Sequence, residues 1–266
     1  MIKSKNKRGQ TTIFVILAVV IVAVIVIFFA VTDIGRETFE KISNIVGSDE
    51  INVKEELNKC FIDNSEINKK INLIMSQGGS IEPSLFFLHN GTKLSYLCYT
   101  NEFYKTCVNQ QPLILQHTKN EINRAILPEI DKCISSLKAN FEKRGYQIRG
   151  QNFESSIDII HNNIIIKINF PLTIKKGDLT QTFENFEIKK HSQYYQLLSV
   201  ATSIVNFESQ YGDSDPVLYM SLYPNTRVEK LKQGDGTTIY KISDRETMET
   251  FNFAVRSLAL PIGYGL

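Results

Sequence analysis

An uninterrupted apolar run of 19 residues, Ile13 to Val31, constrains this chain more than any other feature. At about 1.5 Å of rise per residue a helix of this length covers about 28 Å, close to the hydrocarbon thickness of a bilayer. Lys3, Lys5, Lys7 and Arg8 precede it, whereas Asp33, Arg36, Glu37 and Glu40 follow it without a cationic excess. Cations resist transfer across the membrane, so the pattern predicts a cytoplasmic N-terminus and a C-terminal ectodomain outside the cell. A cleaved secretory signal fits less well: its apolar region is shorter and ends in a small-x-small site, and here Phe28-Phe29-Ala30-Val31-Thr32 is bulky. The expected localisation is therefore the cell membrane, crossed once, with membrane lipid as the first partner.

The residues Lys7, Arg8, Gly9 and Gln10 resemble the class III leader of archaeal type IV pilin-like proteins. That resemblance implies prepilin-peptidase cleavage after Gly9, a mature N-terminus at Gln10, and self-association through the N-terminal helix. The glutamate that pilins often carry a few residues into the mature chain is absent from Thr11-Thr12-Ile13-Phe14-Val15. Under the other reading, Lys7-Arg8 is only the positive flank of an anchor, and both readings stand. A wider resemblance, to uncharacterised single-pass anchored proteins of small-genome archaea, rests on this leader, the Cys60 helix, Gln77-Gly78-Gly79, and the Pro112 helix bearing Cys133 ahead of an Ile-rich hairpin. It implies localisation and fold, and no activity.

Setting aside the four N-terminal cations leaves 26 Lys and Arg against 28 Asp and Glu. Such a balance lacks the concentrated basic footprint of a nucleic-acid binder. Cys60, Cys98, Cys107 and Cys133 all follow the apolar run, and an even number outside the membrane favours disulfides. Three pairings are possible. Leu94–Tyr99 and Phe103–Val108 read as a hairpin that places Cys98 opposite Cys107, which leaves Cys60 for Cys133. The sequon Asn90-Gly91-Thr92 is both a turn and a glycosylation candidate at Asn90.

Apolar spacing predicts five parts: a basic leader at 1–12, a transmembrane helix at 13–31, a helical stalk at 32–47, a helix-rich Cys-containing part at 48–150 and an α+β part at 151–266. Within the fourth, residues 50–77 read as one helix, capped by Asn52 with Glu55 and ended by Gly78-Gly79. A helix opened by Pro112 buries Leu115, Ile122, Ile126, Ile130, Cys133, Ile134, Leu137 and Phe141, and Gly145 stops it. Beyond it, Ser156–His161 and Ile164–Ile174 flank a turn at Asn162-Asn163, and Phe183–Lys189 is a third strand. A helix runs over 192–211, followed by strands at Val217–Tyr223, Arg227–Lys232, Thr237–Ile242 and Phe251–Leu258. The fold class is α+β, with a transmembrane helix continuing into a stalk and then helices packed on antiparallel sheet.

His89, His117, His161 and His191 are dispersed, and no nucleophile elbow, phosphate loop, dinucleotide fingerprint or zinc spacing occurs. Glu184 and Glu187 flank Phe186 as edge-protecting charges on a strand. The reading is a noncatalytic surface protein without cofactor or metal, in a pilin-like structural or adhesive role. The alternatives are a non-polymerising envelope protein that binds a partner or ligand, and an ectoenzyme.

Overall fold

The computed structural model describes residue 21 and residues 52–62, 64–150 and 152–259. From Val53 onward the chain makes one compact unit. Its helices are α1 (Val53–Ile62), α2 (Ser65–Ser76), α3 (Ile114–Lys143), α4 (Tyr194–Gln210) and α5 (Pro216–Leu222). Its strands are β1 (Phe86–His89), β2 (Thr92–Tyr99), β3 (Val108–Asn109), β4 (Gln147–Gly150), β5 (Glu154–Ile160), β6 (Asn163–Lys176), β7 (Leu179–His191), β8 (Thr226–Lys232), β9 (Thr237–Asp244) and β10 (Thr250–Arg256).

The strands form two sheets. One runs β1-β2-β10-β9-β8, with β3 also pairing β2. All its ladders are antiparallel except β2 with β10, which run parallel. The other is built on β6: β7 lines one side over most of its length, and β5 and β4 take successive halves of the other. Helix α3 lies on β4 and β5 and against α1 and α2, while α2 and α4 pack on β10. Ile122, Ile126 and Ile130 of α3 are fully buried in that layer, as are Phe251 and Phe253 of β10.

The α+β packing agrees with the sequence, but the N-terminal transmembrane helix does not carry over. Among the described residues no helix is long and apolar enough to cross a membrane. The longest, α3, has 30 residues and carries Lys119, Glu121, Arg124, Glu129, Asp131 and Lys132 along its course. The expected span 13–31, apart from Ile21, and the stalk 32–47 lie outside the described residues.

Three further expectations change. The helix expected at 50–77 is two helices, because Asn64 starts the second: its side chain accepts hydrogen bonds from the amides of Glu66 and Ile67 at 3.0 and 3.2 Å. A side-chain cap satisfies donors that a continuous helix would have paired with carbonyls. Within the strand expected at Val217–Tyr223, Val217–Leu222 is helical rather than extended. Asp215 caps it by accepting from Val217 N at 2.9 Å, and Pro216 occupies its first turn, which outweighs the β-propensity of Val, Leu and Tyr. The turn of the Ile-rich hairpin is His161-Asn162, since Ile160 pairs with Asn163 and Asn162 takes the positive φ of 61°.

Candidate functional site

Two buried junctions hold most of the polar chemistry of the fold. The first seats the turn after α2 on the side of α3. Gly78 and Gly79 have φ of +79° and +87°, and a Cβ on Gly79 would meet Thr118 Oγ1 at 2.5 Å, so only glycine fits. The Gln77 side-chain amide donates to the carbonyls of Ser80 and Ile81 at 3.1 and 2.8 Å. The Gln77 backbone carbonyl accepts from Ser95 N at 3.0 Å. From α3, His117 Nε2 lies 2.8 Å from Ser80 Oγ, and Glu121 Oε2 accepts from Ile81 N at 3.0 Å. His117 and Glu121 stand four residues apart, so one helix face reaches both Ser80 and Ile81 where the turn ends.

A serine hydroxyl beside a histidine is the starting geometry of a nucleophile and its base. Burial lowers the His117 pKa, against the pull of the Glu121 charge, and so favours the neutral ring. The third member of such a site is a carboxylate on the other ring nitrogen. Glu121 instead spends its oxygens on Ile81 N and on Arg124. The arrangement therefore fastens a loop.

The second junction closes the loop between α4 and α5. Glu208 is 2% exposed and its Oε1 accepts from Ser214 N at 3.0 Å and from the Tyr240 hydroxyl of β9. Lys230 of β8 donates to the Ser214 carbonyl at 2.7 Å and pairs with Asp213. Ser214 Oγ lies 3.0 Å from the Tyr219 hydroxyl of α5. Burial raises the Glu208 pKa, opposed by its hydrogen bonds and by Lys230, and burial likewise raises that of Tyr240.

The disulfides are Cys60–Cys133, between α1 and α3, and Cys98–Cys107. The hairpin expected around the second is reduced to two residue pairs between β2 and β3, in a different register. Cys98 stands opposite Asn109, and Phe103–Cys107 forms a loop rather than a strand. Tyr104, at φ +62°, donates its amide to the Leu258 carbonyl at 2.8 Å, and Leu258 N returns a bond to Lys105 O. That pinning to the chain beyond β10 takes residues 103–106 out of the β2 ladder, while Cys107 stays tied to it through Cys98. Asn90 is exposed at the β1–β2 turn, with φ 49°. Lys7, Arg8, Gly9 and Gln10 lie outside the described residues.

His89 and His191 end β1 and β7, and His161 lies in the turn between β5 and β6. Among the described residues no three His, Cys, Asp or Glu side chains converge as a metal site would require. A depression of about 410 Å³ on the second sheet is lined by Glu154, Ser156, Lys167, Asn169, Asn185 and Glu187 among others, with both charge signs represented. The sequence reading missed Glu121 and Glu208. Glu208 had a signal: it follows Leu197, Ala201, Ile204 and Val205 on the apolar face of α4, where a carboxylate needs a buried partner. No protein-family model, curated protein or solved structure matches this chain.

Proposed function

We propose that this chain is an extracytoplasmic surface protein, held at the cell membrane through its apolar N-terminal run and serving as a pilin-like structural or adhesive subunit. The observation that carries the reading is the cysteine chemistry. All four cysteines of the chain are bonded, one pair across 73 residues and the other across 9. Disulfides persist where thiols are oxidised, outside the reducing cytosol. Both junctions bury their carboxylates in loop-fastening bonds, which supports a display scaffold rather than a catalyst. The pilin-like role rests on Lys7-Arg8-Gly9-Gln10 followed by the apolar run, as prepilin peptidase would read it.

The test is the mass of the mature chain from its native membrane. A chain beginning at Gln10, together with loss of processing in Gly9→Leu, supports the pilin-like role. An intact Met1 without higher assembly leaves an anchored binding protein instead. Protease added to intact cells should remove the disulfide-bonded unit, and full protection would overturn the surface location.

A further inference from the structure

The six-stranded sheet ends in two edges of opposite character. On the β8 edge stand Arg227, Glu229, Lys230 and Lys232, and charges along an edge oppose pairing with another strand. The far edge is made of β1 and β3, laid end to end along β2. Its residues are Phe86, Phe87, Leu88 and His89, then Val108 and Asn109, with no acidic or basic side chain apart from the histidine. Phe86, Leu88 and Val108 are 38%, 61% and 66% exposed.

The register decides which backbone groups this edge offers. His89 pairs with Thr92 across the two-residue turn, and Phe87 with Leu94. In an antiparallel ladder closed by such a turn these are the hydrogen-bonded pairs, as Tyr96 N donating to Leu85 O at 3.0 Å confirms for the next one. The amides and carbonyls of Phe86 and Leu88 therefore point away from the sheet.

We infer that this edge pairs with the same edge of a second copy of the chain, antiparallel, about a twofold axis at Phe87. The two outward residues are spaced so that Phe86 meets Leu88 of the second copy and Leu88 meets its Phe86. Each pair exchanges two hydrogen bonds, and Phe87 faces its own copy in the pair between. The contact is self-complementary, as a twofold interface must be. It opposes apolar side chains across the new ladder and sets no like charges face to face. Lys93, the nearest cation on β2, lies over the Phe86 ring at 5.0 Å, one strand behind the junction. This pairing does not depend on the pilin-like reading, since processing at Gly9 leaves β1 untouched.

The test uses the detergent-solubilised full chain. Because the native cysteines are all bonded, Phe87→Cys adds the sole free thiol and should give a disulfide-linked dimer under mild oxidation. Leu88→Cys should link about tenfold more slowly, because its symmetry mate lies two residues out of register and beyond disulfide reach. By sedimentation, Leu88→Lys should weaken the dimer about tenfold, whereas Glu229→Lys on β8 should leave it unchanged. Leu88 is exposed, so an unaltered circular dichroism melt is expected to show that its variants fold. A monomeric full chain at tens of micromolar, as expected if a foreign strand occupies the edge, would overturn the inference. So would a dimer that neither Leu88→Lys weakens nor Phe87→Cys crosslinks.

Discussion

The two polar junctions use the same device with opposite electrostatics. In each, a glutamate on a helix accepts the backbone amide of a loop: Glu121 holds Ile81 N of the loop that leaves α2, and Glu208 holds Ser214 N of the loop that leaves its own helix. Glu121 lies on α3 with the guanidinium of Arg124 against it, a cation that is itself largely in water. Glu208 is enclosed, and its Tyr240 neighbour is a neutral donor. Burial shifts a base, His117, at the first junction, and acids, Glu208 and Tyr240, at the second. Water at the rim is what separates them. The cation paired with Glu121 keeps most of its own hydration, whereas the enclosed Glu208 must work against the loss of hydration.

The largest difference should appear on truncation. Glu208→Ala leaves Ser214 N and the Tyr240 hydroxyl without their acceptor in the interior, and should cost about 3 kcal/mol of unfolding free energy. Glu121→Ala, whose cationic partner Arg124 is largely in water, should cost about 1–2 kcal/mol by the same reasoning. Urea denaturation of the two variants measures both, and equal losses would break the distinction between a closed and an open junction.

Comparable in size to the Glu208 loss is that of the bond tying α1 to the α3 side of the first junction. Removing Cys60–Cys133 by paired serine substitution should cost about 2–4 kcal/mol, since it frees a long loop in the unfolded chain. The melting temperature should drop further than for the Cys98/Cys107 pair, whose loop is short. A larger drop for the short loop would place the stabilisation in native contacts around Cys107.

Smaller again is Gly79→Ala, expected to cost about 1–3 kcal/mol, because an L-residue at φ +87° is strained and its methyl group would press on Thr118. Gly145→Ala supplies the control: φ is +82° and nothing lies within 4 Å of the added carbon. The excess of the first loss over the second isolates the contact with α3.

The smallest effect is the most diagnostic. Burial raises the folded pKa of Glu208 above its ordinary 4.5, so the folded state holds that proton more tightly than the unfolded one. Its contribution is complete below pH 4.5 and is lost as pH rises through the folded value. His117 is depressed below its ordinary 6.5, so its contribution is complete above pH 6.5 and is lost as pH falls through the lower folded value. Relative to wild type, Glu208→Gln should therefore compare best at high pH, and His117→Gln at low pH. Denaturation midpoints from pH 4 to 8 that run parallel for all three proteins would sink this assignment.

Elements governed by local chemistry were legible from residues alone. The apolar stripe of α3 with Gly145 after it, the Asn90-Gly91 turn, and the alternating Ile-rich strand β6 each state their geometry within a few neighbours. Two errors came from local signals of nearly equal weight. Asn64 could sit inside a helix or start one, and Val217–Leu222 could extend or coil until Asp215 and Pro216 are counted as a cap and a first turn. The junction residues were illegible for another reason. Ser80 meets His117 across 37 residues, and Glu208 meets Tyr240 across 32, so no window of the chain contains either pair.

By itself the sequence determined the α+β class, the apolar N-terminal run with its basic flank, and a cysteine set suited to oxidising surroundings. These follow from periodicity, charge and count, properties of residues one at a time or a turn apart. Only the tertiary structure decided that β2 and β10 run parallel, that β1 lies at an uncharged edge while β8 lies at a charged one, and that two glutamates leave water to hold loops. Each depends on which distant segments meet. Such meetings are set by burying apolar faces over the whole core, where many weak contacts sum and no single residue carries the answer.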